Sequence, residues 1–136
     1  GAVVLPENRG ILVVDICSDR GLPASTELLD LETQTFSPGP SMGSRHSSCA
    51  AAVLEDGKII VVGGLNGNRT ALSTTKVLNP ATNTWSPGPN LASARYKCAA
   101  LPLSSSRILV IGGNCYHEYL STTEIIDLAS GTSTPG

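Results

Sequence analysis

Lys58-Ile59-Ile60-Val61-Val62-Gly63-Gly64 is the stretch that decides how this chain folds. Four β-branched residues in a row, with no polar position between them, describe a strand buried on both faces. The glycine pair that follows lets the backbone turn sharply and lets a neighbouring element come close. From Lys58 the pattern returns at an offset of 49 as Arg107-Ile108-Leu109-Val110-Ile111-Gly112-Gly113. Gly10-Ile11-Leu12-Val13-Val14 is an earlier copy.

The flanking sequence repeats in the same register. Thr33-Gln34-Thr35-Phe36-Ser37-Pro38-Gly39-Pro40 recurs as Thr82-Asn83-Thr84-Trp85-Ser86-Pro87-Gly88-Pro89, again at 49. Cys49-Ala50-Ala51 recurs as Cys98-Ala99-Ala100. Ser73-Thr74-Thr75-Lys76-Val77 recurs at 48 as Ser121-Thr122-Thr123-Glu124-Ile125, and Ser25-Thr26-Glu27-Leu28 is the first copy. Each copy reads as four short β segments. The first is small and apolar, at 2–5, 48–54 and 97–101; the second is the buried run. The third alternates, at 26–30, 75–79 and 123–127. The fourth is centred on Phe36, Trp85 and Ser133. Turn sequences such as Glu55-Asp56-Gly57-Lys58 separate them, and no segment has a 3.6-residue period. Four antiparallel strands in each repeat is the arithmetic of a β-propeller blade. The expected fold is all-β, with three four-stranded antiparallel blades over about residues 1–42, 43–91 and 92–136.

The residues now support a resemblance. A buried strand ending in Gly63-Gly64, the Thr75-Lys76-Val77 strand and the Thr82-Asn83-Thr84-Trp85 segment resemble the kelch-repeat family. The resemblance covers essentially the whole chain and is most complete over 43–89. The first repeat departs from it, with Asp15-Ile16 where the glycine pair belongs. Phe36 and Ser133 stand where the second repeat has Trp85. The resemblance implies structural roles for Gly63, Gly64, Gly112, Gly113, Trp85 and Phe36. It also implies that blades one and three are less well tied than blade two, since the Trp supplies apolar area between blades.

Three blades do not close a ring, because propellers have about four to eight. Both terminal blades are therefore expected to leave an apolar face open. Two ways of covering them stay open: two copies pairing head to tail into a six-bladed ring, or further blades of a longer parent. The chain starts at Gly1 rather than Met, which leads us to expect an excerpt or a processed product.

Composition sets further bounds. The chain has 136 residues and 14.0 kDa, the size of one domain. Hydrophobic residues make up 40% and charged residues 15%, which excludes the charge-rich composition of disordered chains. A net charge of −2 gives no broad cationic surface for nucleic acid. Apolar runs such as Ile59-Ile60-Val61-Val62 fall far short of the about 20 residues that span a bilayer. Cys17, Cys49, Cys98 and Cys115 form no CxxC pair, so a four-thiolate zinc site is not expected. Reduced thiols point to the cytoplasm. The sequon Asn68-Arg69-Thr70 leaves secretion open.

Candidate chemistry is sparse. The glycine pairs lack the GK[ST] and helical pattern of a phosphate loop and read as turn glycines. Asp15, Asp19 and Arg20 read as solvated loop charge, and Ser104-Ser105-Ser106 as a hairpin turn. Cys115, His117 and Glu118 lack the spacing of a metal site, so no metal or cofactor is expected. Cys49 and Cys98, at equivalent positions, read as small packing residues. The resemblance points to one rim of the propeller, where family members bind partner peptides. Here that rim would carry Arg45, His46, Arg95, Tyr96 and Lys97 before the inner strands, with Asn66, Arg69, Tyr116, His117 and Tyr119 in the loops after the second strands. Such a rim is locally basic and suits an acidic or phosphorylated segment. The alternative for the arginines is packing inside the blade. The expected function is a protein–protein interaction module without enzyme activity. The alternative is an enzyme or carbohydrate-binding propeller of the galactose-oxidase or sialic-acid-epimerase type.

Overall fold

The computed structural model describes residues 2–5, 10–14 and 26–136. Asp15, Ile16, Cys17, Asp19, Arg20 and Ser25 lie outside the described residues. The first sheet runs β1 (Ala2–Val4), β2 (Ile11–Val14), β3 (Thr26–Asp30) and β4 (Thr35–Pro38) in chain order. The second runs β5 (Ala50–Val53), β6 (Ile59–Val62), β7 (Thr75–Asn79) and β8 (Thr84–Pro87). In the third repeat, β9 (Ala99–Pro102) and β10 (Arg107–Ile111) are followed by a two-stranded ribbon, β11 (Asn114–Cys115) and β12 (Glu118–Tyr119). Then come β13 (Thr123–Asp127) and β14 (Thr132–Pro135), which pair back so that the third sheet has the order β14-β13-β10-β9. Every pairing is antiparallel. The fold is all-β, with the blade architecture that the repeat implies.

Two details differ from the sequence reading. The inner strands β5 and β9 begin later than Ser48 and Lys97, because both residues hold left-handed backbone, φ 54° and 53°. The β11–β12 ribbon adds two strands to the expected twelve. Tyr116 and His117 make its turn with φ 46° and 76°. Two positive φ values in succession give the turn type that suits a tight hairpin, but glycine or asparagine usually signals it.

The period of two sorts the side chains between neighbouring sheets. β6 is buried at all four positions. Ile59 and Val61 join Leu12, Val14 and Leu78 in a core between the first and second sheets. Ile60 and Val62 join Val77, Ile108, Val110 and Ile126 in a core between the second and third. The connecting segments each add one buried residue, Met42 to the first core and Leu91 to the second. On the outer sheets only alternate positions are covered, as the buried pattern of β10 shows. The sheets are not closed into a ring. Val4 is 64% exposed and Phe36 60% on one open face, and Leu101 is 51% exposed on the other.

The glycine pair has the role its position implied. Gly64 has φ 104°, and a Cβ there would lie 2.8 Å from the Ser47 carbonyl oxygen and 3.1 Å from the Cys49 Cβ. At Gly113 the distances to the Tyr96 oxygen and Cys98 Cβ would be 2.8 and 2.9 Å. The segments entering the second and third blades thus rest against the second glycine, where no side chain fits. Gly63 meets the following blade instead: a Cβ there would collide with the Arg95 carbonyl.

Trp85 was expected to be buried between blades, and the structure corrects the depth. The indole is half-buried on the face toward the first sheet, at the margin of the first core. Its Nε1–H donates to the Pro40 carbonyl at 3.0 Å, so it fastens the segment joining the two blades. Phe36 occupies the same register one repeat earlier, but on the open face. Trp85→Ala is expected to lower stability by about 2–4 kcal/mol, below or within the range for core aromatics because the ring is half-exposed. In the dilute, unassociated chain Phe36→Ala should change it by less than about 0.5 kcal/mol, as at an ordinary surface site. Paired urea titrations check this; equal losses at the two positions would contradict the assignment of the anchor.

Candidate functional site

β6 and β10 end at the same edge of the sheets, and local pairing fixes what gathers there. Ser47 and Leu65 exchange backbone hydrogen bonds of 2.9 and 2.7 Å, and Tyr96 and Asn114 exchange bonds of 3.0 and 2.8 Å. Each entering segment is thereby tied to the loop after its own second strand. Gly64 N–H donates to the Arg95 carbonyl at 2.8 Å, which brings the two blades' edges together. Arg45, Asn66, Arg69, Tyr96, Lys97, Tyr116, His117 and Tyr119 all lie along this edge.

His46 and Arg95 do not face outward from it, which corrects the expectation that they contact a partner. His46 is 3% exposed and Arg95 0%. Both occupy the same repeat position and do the same work. The His46 Nδ1–H donates to the Gly63 carbonyl at 2.8 Å, and Arg95 Nη1 donates to the Gly112 carbonyl at 2.8 Å. A glycine turn leaves a carbonyl inside the blade, and a buried carbonyl needs a donor. Arg95 Nη1 also reaches the Thr122 carbonyl at 3.1 Å, and Nη2 pairs with Glu124 Oε2 at 2.7 Å. Glu124 is saturated in turn. It accepts the Ala92 N–H at 2.6 Å, the Ser93 N–H at 3.3 Å and the Ser133 hydroxyl at 3.1 Å. These partners offset much of the cost of removing both charges from water, although the buried Arg95 Nε has no partner among the described residues.

The second blade cannot repeat that pair, because Lys76 stands at the position of Glu124. A charged base beside Lys76 would be repelled. Burial is the main cause that pushes the His46 pKa below 6.5; Lys76 pushes the same way, and the Gly63 carbonyl opposes. Burial likewise pushes the Cys98 thiol up, against the opposing charge of Arg95. Cys98 and Cys115 are free thiols.

The remaining rim residues divide by task. The Asn66 Oδ1 accepts the Asn68 and Thr70 N–H groups at 2.9 and 3.0 Å and so shapes its own loop. Arg69 is exposed on that loop, with φ 59°. Tyr116, His117 and Tyr119 are exposed on the ribbon, and Tyr96 is half-buried beside it. A cleft of about 380 Å³ opens between the entering segment and β7, lined by Arg45, Asn66, Leu72, Lys76 and Asn90 with His46 in its wall. The sequence reading missed Lys76, since a lysine on an alternating strand looks like a solvated position. Among the described residues no three His, Cys, Asp or Glu side chains gather as metal ligands.

The comparison with protein-family models finds one match, the Kelch motif, over residues 46–92. Residues 46–92 are a kelch repeat. The matched stretch begins at the buried His46 and ends in the segment that carries Leu91, so it takes in the whole second blade. The first and third sheets share its register and antiparallel strand pairing, and the fold is an open arc of kelch-type propeller blades. No curated protein matches the chain.

His46 makes the kelch repeat sensitive to pH, and the sign follows from its lowered pKa. The unfolded chain takes up a proton as pH falls through 6.5, whereas the folded blade resists it. The unfolded state then binds more protons, so stability declines as pH drops from 6.5 toward the folded value. Thermal melts between pH 8 and 5 should show a fall starting near 6.5, and His46→Gln should flatten it. A variant that retains the full fall would assign the effect to another group.

Proposed function

We propose that this chain is a protein-interaction module that takes an acidic or phosphorylated peptide at the rim cleft. Kelch repeats commonly serve protein interactions, and a rigid sheet presenting loops suits recognition. The observation that carries the finer reading is the cleft itself. Arg45 and Lys76 line it together. A guanidinium grips carboxylate or phosphate oxygens bidentately, and an ammonium adds charge without orientation. Asn66 and Asn90 offer amide groups, and Leu72 gives an apolar contact. Tyr96, Arg69, Tyr116, His117 and Tyr119 would extend the contact along the edge. Fluorescence anisotropy with a labelled acidic peptide, its phosphorylated form and a neutral isostere tests the reading. The charged peptides should bind at least tenfold more tightly, less so at high salt, and Arg45→Glu with Lys76→Glu should abolish the preference. Equal binding of all three peptides would overturn it.

We further propose that the module works inside a closed ring, its two open faces covered by matching blade faces. Val4, Phe36 and Leu29 on one side and Leu101, Ile111 and Ile125 on the other have the alternating apolar pattern of the covered sheets. Each side chain of this kind contributes about 1.5–3 kcal/mol on full burial. A second copy in head-to-tail contact or further blades would supply the cover. Light scattering of the 136-residue chain decides the point. A species of twice 14.0 kDa supports self-closure, and irregular association supports a need for further blades. A monomer that stays dispersed at high concentration would refute the proposal.

A further inference from the structure

The second and third sheets flank a cleft of about 460 Å³, lined by Lys58, Val77, Ser86, Pro89, Leu128 and Gly131 among others. The same register one blade earlier is filled. There Trp85 packs at the core margin that also holds Leu28, and its Nε1–H donates to the Pro40 carbonyl at 3.0 Å. That carbonyl also accepts the Thr26 hydroxyl at 2.8 Å. Moving one repeat forward turns Leu28 into Val77, Pro40 into Pro89, Thr26 into Thr75 and Trp85 into Ser133. The frame is preserved. The Thr75 hydroxyl donates to the Pro89 carbonyl at 2.9 Å, so that carbonyl is held as Pro40 is. The turns agree as well, with left-handed backbone at Asn83 and at its counterpart Gly131, φ 53° and 70°. What differs is the occupant. Ser133 is too short to cross the gap and gives its hydroxyl to Glu124 at 3.1 Å. The wall and the acceptor are built, and the aromatic ring is missing.

We propose that this cleft binds an indole supplied from outside, the side chain of a tryptophan on a partner segment. The chain itself shows the fit, because Trp85 occupies the equivalent slot. Val77, Pro87 and Leu128 offer apolar contact to the ring, and the Pro89 carbonyl offers the acceptor that its N–H requires. Lys58 is the charged residue among the described residues of the lining; its ammonium, paired with Asp56 at 3.2 Å on an exposed surface, complements the electron-rich face of an indole. Phenylalanine would fill space without the hydrogen bond. Lys58 before β6, Asn79 at the end of β7 and Gly131 in the turn after β13 lie at the end of the sheets opposite the glycine pairs. The site shares only Pro87 with the lining of the rim cleft and does not rest on that reading.

The test uses a capped pentapeptide with a central tryptophan, its 1-methyltryptophan and phenylalanine counterparts, and 3-methylindole. Binding is followed by the methyl resonances of Val77 and Leu128, which avoids the fluorescence of Trp85. The tryptophan peptide should shift both resonances saturably. The 1-methyl peptide should bind about fivefold more weakly, the loss of one hydrogen bond of roughly 1 kcal/mol. Ser133→Trp should fill the slot from within, raise the melting temperature and remove peptide binding. Arg45→Glu with Lys76→Glu should leave it intact. Absence of saturable shifts, or equal affinity of the three peptides, overturns the proposal, as does undiminished binding to a folded Ser133→Trp. Tighter binding of 3-methylindole than of the peptide would also overturn it, in favour of a small-molecule site. If Ser133→Trp does not fold, the comparison of peptides on the unaltered chain decides.

Discussion

The carbonyl left inside the second and third blades by the glycine turn is the constraint on which the rest of the arrangement depends. A strand buried on both faces has to end abruptly for the loop to return, and only a residue without Cβ allows the entering segment to lie against that end. Close approach then buries the Gly63 and Gly112 carbonyls, and each needs a donor from the entering segment. The base at that position answers the need, as His46 in one repeat and Arg95 in the next. Glycine pair and base are one device. Remove the glycines and the segment cannot approach; remove the base and a buried acceptor is left unpaired, at about 1–3 kcal/mol.

That device uses an imidazole of lowered pKa in one blade and an ion-paired guanidinium in the other, and the residue at the third-strand position suits each. Glu124 makes a guanidinium tolerable, since it supplies the countercharge at 2.7 Å. In the second blade burial is the main cause that lowers the His46 pKa, and Lys76 pushes the same way. A buried ion pair adds little net stability relative to apolar packing, but losing one partner costs about 3–5 kcal/mol. The third blade is therefore intolerant of single changes at Arg95 or Glu124. The second blade instead keeps Lys76 at the cleft, where its charge is available beside Arg45.

Much of this was legible in the sequence, and the reasons differ by element. The blades were readable because a double-sided buried strand, a glycine pair and a Thr-x-Thr segment recur at 48 or 49 residues, and each of their physical roles is local. The roles of Met42 and Leu91 were not read, although they too recur at 49, because a lone apolar residue in a Pro- and Ser-rich connection carries no period. The rim was legible as a location but not as a set of exposed groups. His46 and Arg95 sit beside other polar residues, and nothing in one sequence tells a base that turns inward from one that turns out. The deciding residues, Glu124 and the Gly112 carbonyl, are distant in the chain. The ribbon at Tyr116 and His117 escaped for a simpler reason: its turn uses residues that seldom adopt positive φ.

The loss of the indole in the third blade would be expected to loosen its attachment, yet the contact with the second blade is continuous. Glu124 explains why. In the second blade, Trp85 reaches across to the segment joining it to the first and holds the Pro40 carbonyl. In the third, Glu124 reaches the joining segment from the opposite chemical side, accepting the N–H groups of Ala92 and Ser93 while it holds Arg95. One blade is fastened through a carbonyl by a donor at its outer strand, the next through backbone N–H groups by an acceptor on its third strand. Ser133 belongs to the second scheme, because its hydroxyl completes the carboxylate's partners. With the fastening moved inward to Glu124, the outer slot no longer has to be filled for the blades to stay together. A position released from a structural duty in this way can remain open beside an intact acceptor, which is the condition a binding cleft requires.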